Sequence, residues 1–367
     1  MTRVETLIIG GGPAGAAAGC ALAAGGREVT LIERSAGPHH KVCGEFLSIE
    51  TQQHLWRLGV DAANLGAVAI EDVAIYAAAR ATSARLPFRG LSLSRYRLDD
   101  ALLRRAAACG AKVKRGVAVK ELTRDRAGYI ARCDDGATIQ CRHPVLATGK
   151  SAVRGVRDGR DSSLVGLKVH VRLAPTAERA LAGRVELALL PGGYAGLEMV
   201  EDGVANLCLV LPRVAVARLS PGWPPLQAYL AQNSRHFSER LSGATALWEK
   251  PLAVVCPGRS HLHRDEDVAV YRIGDRLAHI PPFTGDGLAI ALASAALATA
   301  HIERGAPPAS YLAAARRLLV RPLRLAGAVA GLAANQLARP LLMEAAVRAP
   351  ALIGALTRAT RLPLAIH

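Results

Sequence analysis

The sequence predicts an α/β fold in which a Rossmann-like dinucleotide-binding part is interrupted by sheet-forming segments and followed by a helical C-terminal region. Three observations predict it. A strand, a Gly10-x-Gly12-x-x-Gly15 turn, a helix and a second strand follow one another between Val4 and Glu33. Apolar runs with strand character cluster between Leu164 and Leu211. A strand, loop and helix then return between Val268 and Gly287, so the nucleotide-binding part is discontinuous in sequence.

In chain order, Val4 to Ile9 is a short apolar run ending in glycines, Ala14 to Ala24 is Ala-rich and helical, and Glu28 to Glu33 is a second apolar run. Together they make one βαβ unit. Leu47 to Leu58 reads as helical. Arg97 to Cys109 carries Leu98, Leu102, Leu103 and Ala106 at helical spacing, and Pro144 to Ala147 reads as a buried strand ending in Thr148 and Gly149. Strand character follows in Leu164 to Leu173, Arg184 to Leu190, Tyr194 to Val200 and Val204 to Leu211, with Glu201, Asp202 and Gly203 as the hairpin turn of the last pair. Val268 to Ile273 is another buried strand, leading through Gly274, Asp275 and a Pro/Gly loop to a long Ala-rich helix from about Gly287. Beyond Pro307 and Pro308 the chain reads as helical, with Pro322, Pro340 and Pro350 as breaks or kinks.

Composition narrows the class. A chain of 367 residues can bury a substantial core, and its 51% hydrophobic content is rich in Ala with only 4% aromatics. No uncharged apolar run reaches the ~18 residues that a bilayer span needs. Gly10 to Pro13 interrupt what would be the apolar centre of a signal peptide. The net charge of +16 favours anionic ligands, yet no basic block or aromatic-interleaved basic stretch appears, so no specific nucleic-acid binding is expected. Seven cysteines without CxxC spacing read as free thiols of a cytoplasmic protein. Neither His39 and His40 nor His261 and His263 has the acidic or thiol partners of a metal site, so no metal is expected.

The glycine turn carries the first chemistry. Gly10 permits the tight turn, Gly12 lets backbone approach a pyrophosphate, Gly15 packs helix on sheet, and the helix start at Pro13 and Ala14 supplies amide donors with a positive dipole. Glu33, at the end of the next strand with Arg34 beside it, is placed to accept from ribose hydroxyls, and its charge opposes a 2′-phosphate. The motif alone allows FAD or NAD. Gly274 and Asp275 at a strand end, then Pro282, Gly285, Asp286, Gly287 and Leu288 leading into a helix, decide for FAD. An Asp there can take a ribityl hydroxyl, and a glycine loop at a helix N-terminus can face the flavin N1 and C2 carbonyl, where reduction places negative charge.

With these residues the chain resembles the p-hydroxybenzoate hydroxylase and geranylgeranyl reductase group of flavoproteins. Also matching are Lys41, Cys43, Gly44 and Glu45, then Arg95 with Leu98 and Asp99 opening a helix, and Ala147 to Gly149. The resemblance covers about the first 300 residues. It implies bound FAD, Arg95 near it, NADPH or NADH as electron donor, and a cofactor domain (1–75, 95–160, 256–305) interleaved with a β-sheet substrate domain (76–94, 161–255). Residues 306–367 form a helical region outside it. The chain departs from the group in two places. Thr148, Gly149 and Lys150 stand where the hydroxylases carry Asp-Gly, and of the reductases' Tyr-x-Trp-x-Phe-Pro-Lys segment only Tyr194 is kept, as a candidate substrate contact. The Trp-x-Trp-x-Ile-Pro signature of flavin halogenases is absent, Trp56, Trp223 and Trp248 standing far apart.

Three residues are candidates for catalysis. Cys43 resembles the reductases' flavin-side cysteine and could donate a proton or tune the flavin with help from Lys41. Glu45 is either a general base or a cap on the helix that follows. His279 precedes the proline pair and is expected near the flavin ring. The expected activity is that of a monooxygenase acting through a flavin C4a-hydroperoxide on a largely apolar or aromatic small molecule. The alternatives are a reductase of carbon–carbon bonds in a lipophilic substrate, favoured by Cys43, and an accessory flavoprotein acting on a carrier- or protein-bound substrate. The Arg-rich C-terminal helices are a candidate for peripheral membrane contact.

Overall fold

The computed structural model describes residues 1–126, 128–156, 163–257, 260–263 and 270–363. Strand β1 (Thr2–Ile9), helix α1 (Pro13–Ala24) and strand β2 (Val29–Glu33) form the first βαβ unit. A loop leads through β3 (Phe46–Leu47) to α2 (Ile49–Arg57). Ser48 caps α2, its Oγ accepting from the Thr51 N–H, so the cap expected of Glu45 belongs to Ser48. Strands β4 (Val68–Ala77) and β5 (Arg80–Ser92) make a hairpin before α3 (Arg95–Ala108), which Ser94 caps. Strands β6 (Lys112–Arg115), β7 (Val119–Asp125), β8 (Gly128–Cys133) and β9 (Thr138–Leu146) follow.

The second sheet-forming region contains β10 (Leu164–Arg172), α4 (Pro175–Leu181), β11 (Arg184–Leu190), β12 (Gly193–Val200) and β13 (Val204–Pro212). Asp202 and Gly203 adopt positive φ in the turn between the last two, as the sequence implies. Helices α5 (Arg213–Val216), α6 (Trp223–Asn233) and α7 (Arg235–Arg240) precede short strands β14 (Thr245–Ala246) and β15 (Leu252–Cys256). Then come β16 (His261–Leu262), β17 (Tyr271–Arg272) and β18 (Ala278–His279). The chain closes with α8 (Gly287–Glu303), α9 (Pro308–Ala334), α10 (Ala338–Arg348) and α11 (Ala351–Thr360). Of the strand expected from Val268 to Ile273, Val268 and Ala269 lie outside the described residues.

The first sheet has the order β6-β2-β1-β9-β8-β7, with β17 also pairing β9. Strands β6, β2, β1, β9 and β17 are mutually parallel, and the register sets Ile9 beside Ile32 and Leu146, and Leu146 beside Arg272. Their carboxyl ends therefore share one edge, and the loops opening at Gly10, Arg34, Ala147 and Ile273 all issue there. That edge is where open α/β sheets bind ligands. Helix α1 packs between α3 and α8. Its Ala and Gly residues let the backbones approach closely, which explains why so Ala-rich a helix is buried on nearly every side.

The larger sheet runs β14-β10-β13-β12-β11-β4-β5-β3, with β15 also on β10. Alternation sorts its side chains. Val169, Leu197 and Leu207 face α4, α6 and α7 in a core with Trp223 and Phe237. The intervening Tyr194, Gly196, Glu198, Asn206 and Cys208 face a cavity. Strand β4 lies wholly in this sheet, so the division expected between residues 75 and 76 falls inside a strand.

The helical C-terminal region expected from the sequence packs against the larger sheet. Ala333 of α9 and Met343 of α10 pack with Ala77 and Leu189 of the larger sheet. Pro322 lies inside the 27-residue α9 without ending it, and Pro340 lies inside α10; the breaks fall around Asn335 and before Pro350. Among the described residues no single helix is long and apolar enough to cross a membrane, and α10 and α11, which pass together by length and composition, are bent by 112°.

Candidate active site

At the nucleotide end, the glycines are required by space. Gly10 has φ +106°, and a Cβ there would stand 2.5 Å from the Ala147 carbonyl oxygen; one on Gly15 would overlap the Gly10 carbonyl oxygen. Gly15 therefore packs beneath the turn while Gly10, Gly12, Pro13 and Ala14 line the cavity. A Cβ on Gly12 would meet only the ends of Arg95 and Lys41, at 3.8 and 3.9 Å. Two cations thus stand over the amide-rich start of α1, an arrangement suited to a diphosphate. Asp99 orders both: its Oδ1 accepts from Arg95 Nε at 2.6 Å, and its Oδ2 lies 3.0 Å from Lys41 Nζ.

Glu33 accepts from the Gly11 N–H at 2.6 Å through Oε2 and from the Ser35 N–H at 3.0 Å through Oε1. Burial would raise its pKa, but the Ser35 amide, Lys41 and the Gly11 amide outweigh that and hold it below the usual carboxylate range. It lines the cavity as an anion, as a ribose acceptor requires. Arg34 is exposed at the rim and donates to Ser151 Oγ at 3.0 Å.

Across the cleft, Gly274 (φ +60°) donates its N–H to Ser294 Oγ at 2.9 Å and turns the chain so that Asp275 lines the cavity. Pro282, Gly285 (φ +72°), Gly287 and Leu288 line it at the start of α8, with Ala147, Thr148 and Gly149 opposite. Asp286 does not join them. It is buried, its Oδ1 accepting from Arg361 Nη1 at 2.6 Å, so the loop is latched to the end of the chain instead. Burial pushes Asp286 up to about 6 even against Arg361. Arg361 also donates to the Thr284 carbonyl and lies over the Phe88 ring. The residues present fit FAD at both ends: an anion site at α1, a carboxylate at the second strand end, and a glycine loop with a helix dipole for the ring.

Cys43, Gly44, Glu45, Tyr194 and His279 line the same cavity. Arg95 lies against Cys43 as well as Asp99; burial would lower its pKa, but these neighbours hold it firmly protonated. Lys41, expected to assist Cys43, is paired with Asp99. Glu45 is fully buried with φ +64°. Its Oε1 accepts from Lys168 Nζ and from the Arg95 N–H at 2.6 Å, and its Oε2 pairs with His170 Nε2 at 2.8 Å. Burial alone would raise its pKa, but Lys168 and then His170 hold it below the usual range. With three donors on two oxygens, Glu45 ties the Cys43 loop to the sheet. The fold brings His40 near an acidic group that the sequence did not reveal, the ligand atoms of His40, Glu45 and His170 lying within 4.8 Å of one another, but no hydrogen bond reaches His40 Nδ1. The Lys168 ammonium on Glu45 makes this cluster an ion-pair network.

The cavity holds about 770 Å³ and reaches from the cofactor loops to the C-terminal helices, where Met343, Ile353 and Leu356 wall it. A second cavity of about 1150 Å³ lies under α9 between Leu323, Gly327 and Gly331 and the loop at Pro281. Tyr194 and Phe283 line both, their rings edge to face at 5.4 Å. Burial pushes the Tyr194 hydroxyl well above its usual pKa, so it stays protonated.

Comparison with known proteins agrees with this construction. The sequence profile of a family described as an FAD binding domain matches residues 3–159. A menaquinone reductase of Mycolicibacterium smegmatis is 26% identical over 326 residues, 83% of this chain and 77% of that protein. Among solved structures, a flavin-dependent brominase superposes with a TM-score of 0.81 at 18% identity, covering 98% of this chain and 93% of that one. A probable FAD-dependent monooxygenase from Pseudomonas aeruginosa gives 0.75 at 17% identity, covering 94% and 100%. Residues 3–159 are thus matched as an FAD binding domain, the whole chain shares the fold of these flavin-dependent enzymes, and it is an FAD-dependent oxidoreductase.

Sequence reasoning missed Lys168, His170, Glu198 and Asn206. The signal was present as polar residues at alternate positions inside apolar strands, but which face they share depends on the register. Glu198 pairs with Asn206, and Asn206 with His170.

Proposed function

We propose that this flavoprotein is a monooxygenase for a lipophilic small molecule with an unsaturated or aromatic head. The observation that carries the reading is the cavity, which joins the cofactor loops to apolar walls on the larger sheet and on α9 to α11. Bound FAD would supply the redox chemistry, taking two electrons from a donor such as NADPH or NADH and passing them to oxygen. The chain's own part is to hold the cofactor through Gly10, Gly12, Glu33, Arg95, Asp275 and the Gly285–Gly287 loop, to present the substrate along Tyr194, and to exclude water with α9 to α11. Exclusion of water protects reduced-oxygen species from wasteful breakdown. The head would approach the ring from the side of Cys43 and His279, and the tail would lie among Leu187, Met343 and Ile353, with room to continue past Tyr194 and Phe283 under α9.

A reductase of carbon–carbon bonds is the second reading, favoured by Cys43 lining the cavity and by the name of the mycobacterial relative. One experiment separates the two. The FAD-loaded protein is reduced by NADPH or NADH and given long-chain alkenylphenols, which carry both an aromatic ring and a reducible double bond, under ¹⁸O-labelled oxygen, and products are analysed by mass. A product heavier by one labelled oxygen supports the first reading. Anaerobic turnover giving a product heavier by two hydrogens, lost in Cys43→Ser, would replace it with the second.

A further inference from the structure

We propose that Glu198 and Asn206 form the polar end of the substrate cavity and bind a hydroxyl group on the head of an otherwise apolar substrate. This rests on the lipophilic-substrate reading above and names the group that orients the molecule. The two residues are direct cross-strand neighbours on β12 and β13 and are 3% and 1% exposed. Both line the cavity. Glu198 Oε1 and Asn206 Oδ1 are each buried with no hydrogen-bond partner. A buried polar atom left without a partner is costly, and two side by side in the cavity point to a ligand that completes them.

The chemistry of the pair selects the ligand. Asn206 Nδ2 donates to the carbonyl oxygens of Cys43 (3.2 Å) and Gly44 (3.0 Å), which fixes the amide and leaves Oδ1 as an acceptor. Burial, followed by the charge of Glu45, pushes Glu198 up to about 8 against the opposing contacts of Asn206, Ser92 and Lys168, so at neutral pH it carries a proton, and its partnerless Oε1 can donate. One donor beside one acceptor is the complement of a hydroxyl, which accepts from the first and donates to the second. A carbonyl oxygen would satisfy Glu198 and leave Asn206 Oδ1 unpaired. A carboxylate would meet Glu45 nearby. Val185 and Leu187, from the adjoining strand, line the same cavity and offer no competing polar contact. Because Asn206 also holds the Cys43–Gly44 loop, the hydroxyl-bearing head is brought to the cofactor side while the tail points toward α10 and α11.

The test uses the FAD-loaded full chain and three probes of equal tail length: 4-octylphenol, its methyl ether and octylbenzene. Binding is read by equilibrium dialysis and by perturbation of the flavin spectrum, without turnover. The wild-type protein is expected to prefer the phenol over octylbenzene by about tenfold or more, since a site built for a hydroxyl rejects the analogue lacking it. The ether, which cannot donate to Asn206, falls between. Glu198→Leu brings the preference to within about twofold with octylbenzene still bound, while Glu198→Gln, which keeps a donor, retains most of it. In the unmutated protein the preference declines between pH 7 and 9 as Glu198 ionises. The other ionisable groups facing that space, Glu45, Lys168, His170, Cys43, Cys208 and Tyr194, remain in Glu198→Gln, which should lose that decline. Preference that survives in Glu198→Leu, or is constant with pH in the wild type, overturns the assignment. Equal binding of phenol and octylbenzene overturns it also and leaves the lipophilic reading standing. If no probe binds, the lipophilic reading falls and takes the assignment with it.

Discussion

The two ends of the cleft recognise their ligands by different means. At the nucleotide end backbone does most of the work: glycines clear the space, amides at the start of α1 donate, and side chains act chiefly through Glu33, Lys41 and Arg95. At the other end, the one proposed here for the substrate, the backbone is consumed in sheet ladders, and recognition would fall to whatever side chains the pleat of β10 to β13 turns inward. At Gly10 and Gly15 the first end tolerates no added volume. The second tolerates changes of shape and is sensitive to changes of charge.

Gly15→Ala should break the comparison most severely. Its methyl would overlap the Gly10 carbonyl oxygen, so the turn cannot close, and we expect purified protein without flavin absorbance, an affinity loss of about 100-fold or more. Lys168→Met tests the other end. It leaves the Glu45 carboxylate buried without its cation, which should cost about 3 kcal/mol in urea unfolding. A loss under ~1 kcal/mol would mean that His170 and the Arg95 amide suffice.

Arg361→Ala should cost somewhat less, on the order of 2 kcal/mol, and the cost should depend on pH. The folded Asp286 already titrates near 6, above its value in the unfolded chain, so its contribution is complete at low pH and fades as pH rises through 6. Without Arg361 that pKa climbs further, and the variant should lose more stability at pH 8 than at pH 5. Equal losses at both would count against the latch.

One effect has the opposite sign. Glu198 titrates near 8 when folded and near 4.5 otherwise, so its burial costs stability progressively as pH rises from about 5 to 8 and no further above that. Glu198→Gln should nearly match the wild type at pH 5 and be more stable at pH 9, by up to about 4 kcal/mol. Melting temperatures at the two pH values measure it.

The same contrast explains what could be read from the sequence. Gly10, Gly12, Gly15 and Glu33 announce a site because their spacing is local and the constraint is steric, and Gly274 to Gly287 do so for the same reason. Asp286 misled because a carboxylate beside a helix start looks like a ligand, and its partner Arg361 is 75 residues away. Glu198 and Asn206 could not be paired without the register that sets them opposite each other. The helices after Pro307 gave a helical pattern, but nothing in their periodicity says that Met343 and Ile353 close a cavity. Pro322 marks the limit of local rules: its ring is buried against the rest of the molecule, and α9 runs on through it.

Glu45 has a consequence for which substitutions that loop can accept. Its backbone sits at φ +64°, a conformation natural to glycine and tolerated by asparagine and aspartate, while its carboxylate neutralises a fully buried lysine. Glycine would relax the main chain and strand the ammonium; glutamine would keep the length and lose the charge; aspartate would suit the turn and fall short of Lys168. Each single exchange satisfies one demand by violating another, so the position can change only together with Lys168.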